Sequence, residues 1–440
     1  MTLAPGILIA APRSGSGKTT VVLGLQRALA RRGLRVRGAK CGPDYIDPAF
    51  HAAATGAPSF NFDSFAMGRP LLHSLVAQTA DQADVIIAEG SMGLFDGIRQ
   101  ETGRTGASAD MAALFGWPAV LVLDVSGHAQ SAAAVALGCA HFDPRIDVAG
   151  VILNKVASDR HRRLVEDGMA RIDLPVLGAL MRSNELALPE RHLGLVQAGE
   201  TDELEQRLER LADTIEASVD IDRLLTLGRP TSLGAAASDV ALRPPGQRIA
   251  LASDQAFSFI YPHILSSWRD AGAEIVMFSP LADESPPEHC DSCWLPGGYP
   301  ELHSARIANA RRFLESLRAF AETRPVHGEC GGYMVLGETL EDGDGHLHRM
   351  AGLLPVNTSY AKRKLHLGYR VARMLRDGAL GRANDCIIGH EFHYASITQS
   401  DDSREAAFVS ITDAEGTDLG VAGHCIGLTT GSFFHAIAQA

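Results

Sequence analysis

The stretch Ile7-Leu-Ile-Ala-Ala-Pro-Arg-Ser-Gly-Ser-Gly-Lys-Thr-Thr20 decides how the first half of the chain folds. Its apolar run, Ile7 to Ala11, shows no period-2 alternation and stops at Pro12, so it reads as a strand buried on both faces. A loop of Gly and Ser follows. Val21 to Arg31 then reads as an amphipathic helix, with Gly33 suited to its C-cap. Strand, glycine loop, Lys-Thr and helix make the architecture of a phosphate-binding loop. Gly15 and Gly17 let the backbone curl until several amides face phosphate oxygens, and Ser16 and Thr20 are counted with them as nucleotide-binding residues. The positive helix end adds to that field, Lys18 bridges the terminal phosphates, and Thr19 offers its hydroxyl to Mg²⁺. One departure stands out: Pro12 occupies the position where the pattern usually opens with Gly. ATP or GTP is the expected ligand.

Outward from that loop, 440 residues are too many for one ordinary core, so two domains are expected. A hydrophobic content of 46% with 21% charged residues fits a soluble globular chain. The net charge of −12 argues against a nucleic-acid partner, because no basic stripe offsets phosphate repulsion. No apolar run is long enough to span a bilayer, and no charged-then-apolar leader opens the chain. Seven scattered cysteines suit a reducing cytoplasm better than a disulfide framework.

Leu34 to Cys41 reads as a second strand ending near Lys40, and Gly42-Pro-Asp-Tyr-Ile-Asp-Pro48 follows. Its prolines and glycine fix a loop that presents Asp44 and Asp47 at the carboxyl end of a strand, where open α/β sheets bind ligands. A pair of Asx turns is the alternative. Val85 to Ala88 repeats the design: a buried strand ends in Glu89, and a glycine-rich loop runs to Gly97. An acidic residue at a strand end opposite a phosphate loop is the usual second support for Mg²⁺, while a turn cap is the bland reading. Ala119–Val125 and Val148–Lys155 read as further strands, and Asn154 is a candidate to hydrogen-bond a purine base or to cap a loop. Helical stretches alternate with these strands (103–115, 129–141, 158–171), and Pro175–Leu180 adds a strand before the charged helix 203–219. The alternation predicts a doubly wound parallel sheet.

Periodicity is lost from Leu227 to Asp239, where Gly, Ala, Ser and Pro gather, and Arg243-Pro-Pro-Gly246 follows. The expected division is a synthetase domain over 1–225, a linker over 226–247 and a second domain over 248–440. Three features of that second domain carry chemistry. Cys293-Trp-Leu-Pro-Gly-Gly-Tyr-Pro-Glu301 is a short strand running into a glycine turn able to face an oxyanion. Pro325-Val-His-Gly-Glu-Cys-Gly-Gly-Tyr333 sets Cys330 between strand and helix with small neighbours, the pattern of a nucleophile elbow, and the helix end is expected to lower its pKa. Thr430-Gly-Ser-Phe-Phe-His-Ala436 supplies His435 as a candidate base. Cys290-Asp-Ser-Cys293 has no matching second pair, which argues against zinc. Gly389-His-Glu-Phe-His-Tyr394 spaces its histidines three apart on a strand, so a structural or substrate-facing role is expected.

Together these segments, in this order and over essentially the whole chain, resemble the cobyrinic acid and hydrogenobyrinic acid a,c-diamide synthases of cobalamin biosynthesis. The most specific is Lys40-Cys-Gly-Pro-Asp-Tyr-Ile-Asp-Pro48, which separates these synthases from the cobyric acid synthases. The resemblance implies an α/β protein of two doubly wound domains. The N-terminal one is a P-loop domain like dethiobiotin synthetase; the C-terminal one is a flavodoxin-like class I glutamine amidotransferase domain. It implies that ATP phosphorylates the a- and c-acetate carboxylates of a corrin macrocycle, and that ammonia from glutamine displaces the phosphate. Cys330 would attack the glutamine amide with His435 as base, and Gly298 and Gly331 would hold the oxyanion, worth about 3–4 kcal/mol per donor. Lys18, Thr19, Lys40, Asp44, Asp47 and Glu89 would handle ATP, the carboxylate and Mg²⁺, with Thr19, Asp44 and Glu89 as metal ligands. Tyr45 and Ile46 would set the order of the two amidations. A small corrinoid is the expected partner; the oligomeric state is left open, with a homodimer as the candidate. Wider amidotransferase triads carry Glu two residues after the His, whereas Ala436 and Ile437 follow His435 here, so its orienting partner is left open. Ligases acting on another carboxylate (cobyric acid synthases, cell-wall lipid ligases) are the near alternative. A partitioning-type ATPase with an inactive fused domain is the far one; it would show a loop lysine where Arg13 stands.

Overall fold

The computed structural model describes residues 3–183, 190–191, 194–195, 197–200, 203–234, 241–400 and 406–440. The chain forms two compact units, Met1–Asp239 and Val240–Ala440.

In the first unit seven parallel strands are built from short, fully buried aliphatic runs, as expected for a sheet covered on both faces. They are β1 (Pro5–Ala10), β2 (Val36–Cys41), β3 (Phe60–Phe62), β4 (Val85–Glu89), β5 (Ala119–Asp124), β6 (Val148–Val156) and β7 (Val176–Met181). Their order across the sheet is β3-β2-β4-β1-β5-β6-β7. The strand order therefore reverses beside β1, and the crevice outside its carboxyl end is where a doubly wound sheet takes its ligand. Helix α1 (Lys18–Arg31) leaves that crevice and buries Val21, Val22, Leu25, Ala28 and Leu29. Helix α2 (Asp47–Thr55) opens with Pro48 at its first turn, where a missing N–H costs nothing. The helix expected over 103–115 covers only Ser108–Phe115, because Gly103 and Gly106 take left-handed φ values of 90° and 73°. The stretch read as linker begins inside this unit. Arg229–Pro230 pairs antiparallel with β1, and Thr231 accepts from Trp117 Nε1 and donates to the Ala4 carbonyl. Residues 235–240 of that stretch lie outside the described residues.

The second unit starts with strand Arg248–Ala252. Parallel strands Glu274–Phe278, Arg248–Ala252, Ser292–Leu295, Val326–Glu329 and Thr429–Ser432 lie side by side in that order, which in chain order is 2-1-3-4-5, the flavodoxin-like arrangement. The sheet then continues antiparallel through Asp418–Ile426, Ala407–Asp413, His366–Met374, Cys386–His393 and His435–Gln439. The chain thus returns to place His435 at the far edge, beside Cys386–His393. All seven cysteines are free thiols. Among the described residues no helix is long and apolar enough to cross a membrane.

Candidate active site

Gly15 and Gly17 adopt φ of 73° and 90°, a turn open to glycine and costly for other residues, and α1 starts at Lys18 immediately beyond. No acidic residue stands in the first turn of α1, so nothing of its own charge competes for the amides there. Asn154, at the end of β6, faces this loop: Nδ2 donates to the Ser16 carbonyl at 2.8 Å, and Oδ1 accepts from the Lys155 amide at 2.9 Å. The side chain expected to reach a base or cap a loop therefore braces the phosphate loop. Lys155 Nζ adds a bond to the Gly15 carbonyl at 3.2 Å and pairs with Asp124 at 2.9 Å, and Arg13 pairs with the same carboxylate at 3.0 Å.

Behind the loop lies a buried charged cluster. Glu89, fully buried at the end of β4, accepts from the Thr19 hydroxyl at 2.6 Å and pairs with Lys40 at 3.1 Å. Its other oxygen meets His51 Nε2 at 2.8 Å, and His51 Nδ1 faces Ser59 at 3.2 Å. Lys40 Nζ also donates to Asp47 at 2.5 Å. Register explains the meeting: Lys40 of β2 and Glu89 of β4 are direct partners across the parallel ladder. Burial alone would raise the Glu89 carboxyl, but Lys40, His51 and Thr19 hold it well below the usual carboxylate range. Burial alone would lower Lys40, but Asp47 and Glu89 hold it above an ordinary lysine. The cluster has more carboxylates than one ammonium neutralises. Asp47 bears the consequence, pushed up to about 8 by burial and by Asp44. Lys18 donates to the Met92 carbonyl at 2.5 Å, and burial with Lys40 nearby lowers it to about 8.

Asp44 is placed differently from its expected partners. Its Oδ1 accepts from the Ile46 and Asp47 amides at 2.8 Å each, so it shapes the entry to α2 in the Asx geometry. Tyr45 is half-buried and Ile46 buried. Sequence reasoning missed His51. The signal was its place four residues after Asp47 on a helix, which puts both on one face.

In the second unit strand Val326–Glu329 runs into Cys330, whose φ of 45° and ψ of −100° cost a non-glycine residue on the order of 1–3 kcal/mol. Such strain is what the nucleophile elbow expected at this position would carry. Strand Thr429–Ser432 pairs with Val326–Glu329, and the Cys330 amide donates to the Ser432 carbonyl at 2.8 Å. His435 follows three residues later. Gly297 lies against both: a Cβ there would stand 2.5 Å from His435 Cε1 and 3.4 Å from Cys330 Cβ. The expected nucleophile and base therefore flank one glycine. The Gly298 and Gly331 backbones also touch, since a Cβ on Gly331 would lie 3.0 Å from the Gly298 nitrogen.

The expected lowering of the Cys330 pKa is overturned. Burial pushes the thiol up and Glu301 adds to it, with only the Gly331 amide pulling the other way. The following helix, Gly331–Leu336, has six residues and too small a field to win. Burial, with His390 and His393 near, holds His435 well below an ordinary histidine, so its imidazole is neutral. The site rests as thiol and neutral imidazole.

Glu329 was not foreseen; its Oε1 accepts from the Ala436 amide at 3.0 Å, and burial pushes it up to about 8. The folded chain thus keeps a proton that the unfolded chain releases near pH 4.3, so Glu329 erodes stability as pH climbs from there to about 8, by up to about 1.4 kcal/mol per unit. Glu329→Gln keeps the accepting oxygen without the charge. Its stability advantage in denaturant titrations is expected to grow from pH 5 to pH 8; a difference constant over that range would refute the assignment.

Comparison with known proteins agrees with this geometry. Residues 7–196 match the CobQ/CobB/MinD/ParA nucleotide binding domain, and residues 248–440 match the CobB/CobQ-like glutamine amidotransferase domain. The hydrogenobyrinate a,c-diamide synthase of Mesorhizobium japonicum is 56% identical over 437 residues, covering 99% of both chains. Those of Agrobacterium fabrum and Rhodobacter capsulatus are 54% and 57% identical, covering 99% and 98% of each chain. With a phosphate loop in one unit, a strained cysteine in the other and relatives matched end to end, the chain belongs to the hydrogenobyrinate a,c-diamide synthase family of glutamine amidotransferases.

Proposed function

We propose that this chain amidates the a- and c-acetate carboxylates of hydrogenobyrinic acid, using ATP and glutamine, to give the a,c-diamide. The observation that carries the reading is the strained backbone of Cys330, which lies against Gly297 on one side and is followed by Gly331. A chain that used its second unit only as a scaffold would have no reason to keep a cysteine at φ 45°. The names of the matched relatives support the metal-free substrate over cobyrinic acid.

The glutaminase half follows from the resting protonation state. Neutral His435 takes the proton from the Cys330 thiol as sulfur attacks the amide carbon of glutamine. Amides of Gly298 and Gly331 receive the oxyanion. His435 then returns the proton to the leaving nitrogen, ammonia departs, and water releases glutamate from the thioester.

In the synthetase half, the Gly15–Thr20 loop and Lys18 hold the ATP phosphates, with Asn154 and Lys155 fixing the loop from behind. The substrate carboxylate attacks the terminal phosphorus, and ammonia then displaces phosphate from the acyl phosphate. Lys40 and the loop from Asp44 to Asp47 would orient that carboxylate, with Tyr45 and Ile46 biasing which acetate enters first. Hard oxygen donors at Thr19 and Glu89, the nearby Asp44 and the excess of carboxylate charge that raises Asp47 fit a Mg²⁺ ion. Bound there, the ion would neutralise charge on the transferring phosphoryl group. The net charge of −12 speaks against nucleic acid, the free thiols fit a cytoplasmic setting, and a second copy of the chain is the protein partner to test.

Mass spectrometry of product made from hydrogenobyrinic acid, ATP and glutamine tests the reading. A diamide formed with one ATP hydrolysed per amide is expected. Amide formation without ATP hydrolysis, or amidation at other side chains, would overturn it.

A further inference from the structure

Related triads carry the carboxylate that orients the base two residues after the His, and Ile437 stands at that position here. A free imidazole ring turns about its last side-chain bond, and only some of those orientations aim a nitrogen at the thiol. Neighbours from other segments can fix the ring.

His390 lies on it. Strand Cys386–His393 pairs with His435–Gln439 so that His390 stands opposite His435, with the two imidazoles stacked at 5.1 Å and 16°. The pairing is pulled close at that point. A register shift falls between Ile388 and Gly389, and a Cβ on Gly389 would collide with the His435 carbonyl. His390 is itself tied down, because the Tyr261 hydroxyl and His390 Nε2 lie 2.8 Å apart. Tyr261 stands immediately before helix Pro262–Asp270, and His263 in the first turn of that helix bonds through Nε2 to the Ile437 carbonyl at 2.9 Å. One helix end thus grips the His435 strand directly and, through Tyr261, grips the ring stacked on His435. Tyr261, His390 and His435 are all buried.

We propose that the Tyr261–His390 pair positions the base, holding the His435 imidazole in the plane that faces Cys330. The two are positioning residues: a parallel ring face resists rotation of His435, and the tyrosine hydroxyl resists rotation of His390. Burial keeps His390 neutral, lowered to about 3, so the pair supplies orientation rather than compensating charge. The inference rests on the reading of Cys330 and His435 as the glutaminase dyad.

The test is steady-state kinetics of the full chain with glutamine and with ammonium salts, on Tyr261→Phe, His390→Phe, their double variant and His390→Ala. Tyr261→Phe and His390→Phe both remove the same hydrogen bond while keeping a ring in place. Each should lower the glutamine-dependent kcat by roughly 3–10-fold with the KM for glutamine unchanged, and the double variant should lose no more than either. His390→Ala should lose roughly 10–100-fold, and ammonia-dependent turnover should stay at the wild-type rate throughout. Should His390→Ala fail to fold, the two phenylalanine variants and their double decide alone. A wild-type kcat in either single variant, a loss confined to KM, or losses that multiply in the double would overturn the pairing. His435→Ala is the separate control: if it kept glutamine-dependent turnover, the dyad itself would be wrong, whatever the His390 variants do.

Discussion

Cys330→Ser is expected to abolish glutamine-dependent amidation, a loss of at least about 10³-fold in kcat, and to leave amidation driven by ammonium salts at the wild-type rate. The size of the effect follows from the electrostatics of the elbow. Burial and the Glu301 carboxylate already hold the thiol well above its ordinary value, and neutral His435 must accept its proton as the sulfur attacks. A serine hydroxyl in the same pocket starts from a far higher pKa and is a poorer nucleophile, so the same base cannot activate it. The change removes one atom's chemistry without disturbing the backbone, because Cys330 keeps its amide bond to the Ser432 carbonyl and its place before Gly331. Ammonia added from outside bypasses the sulfur altogether. Equal loss with both nitrogen sources would show that the two chemistries are not housed separately.

How much of this was legible beforehand differs between the two units for a physical reason. In the first unit, the chemistry is written locally. A phosphate loop needs its glycines, lysine and threonine within a few residues, and fully buried parallel strands leave unbroken apolar runs that end at the functional edge. Lys40, Asp47 and Glu89 were each visible as residues at strand ends, and the β2–β4 register brings Lys40 and Glu89 together. In the second unit, Cys330 and the Gly297–Gly298 turn were legible for the same local reason. The antiparallel extension from His366 to Gln439 was not. Strand His366–Met374 is mostly half-exposed and strand Asp418–Ile426 mostly exposed, so neither shows the apolar run of a buried strand. The stack of His390 on His435 arises from a pairing of distant segments at a bulge, and no spacing within either segment announces it.

Glu89→Gln is expected to lower amidation by at least about 10²-fold with glutamine and with ammonia alike, the opposite selectivity to the cysteine change. Glu89 touches Thr19 of the phosphate loop, Lys40 of the neighbouring strand and His51 of α2 together. The amide keeps the shape but loses the charge, so Lys40 is left to Asp47 alone. One terminal atom must then be an amino group, facing either the Thr19 hydroxyl and Lys40 ammonium or His51 Nε2, which would have to take the tautomer that accepts. Breaking a buried ionic contact of this kind costs on the order of 3–5 kcal/mol, so the variant's fold needs its own check. Glutamine hydrolysis without amidation provides it in part, since Cys330 and His435 belong to the other unit and should keep turning over. Asp44→Asn is the milder companion. It keeps an oxygen for the Ile46 and Asp47 amides, removes the charge that raises Asp47, and should reduce turnover with either nitrogen source. Normal ammonia-driven amidation by Glu89→Gln would remove Glu89 from the synthetase chemistry. The buried cluster would then be a support for the fold, and the carboxylate would have to be activated elsewhere on the sheet edge.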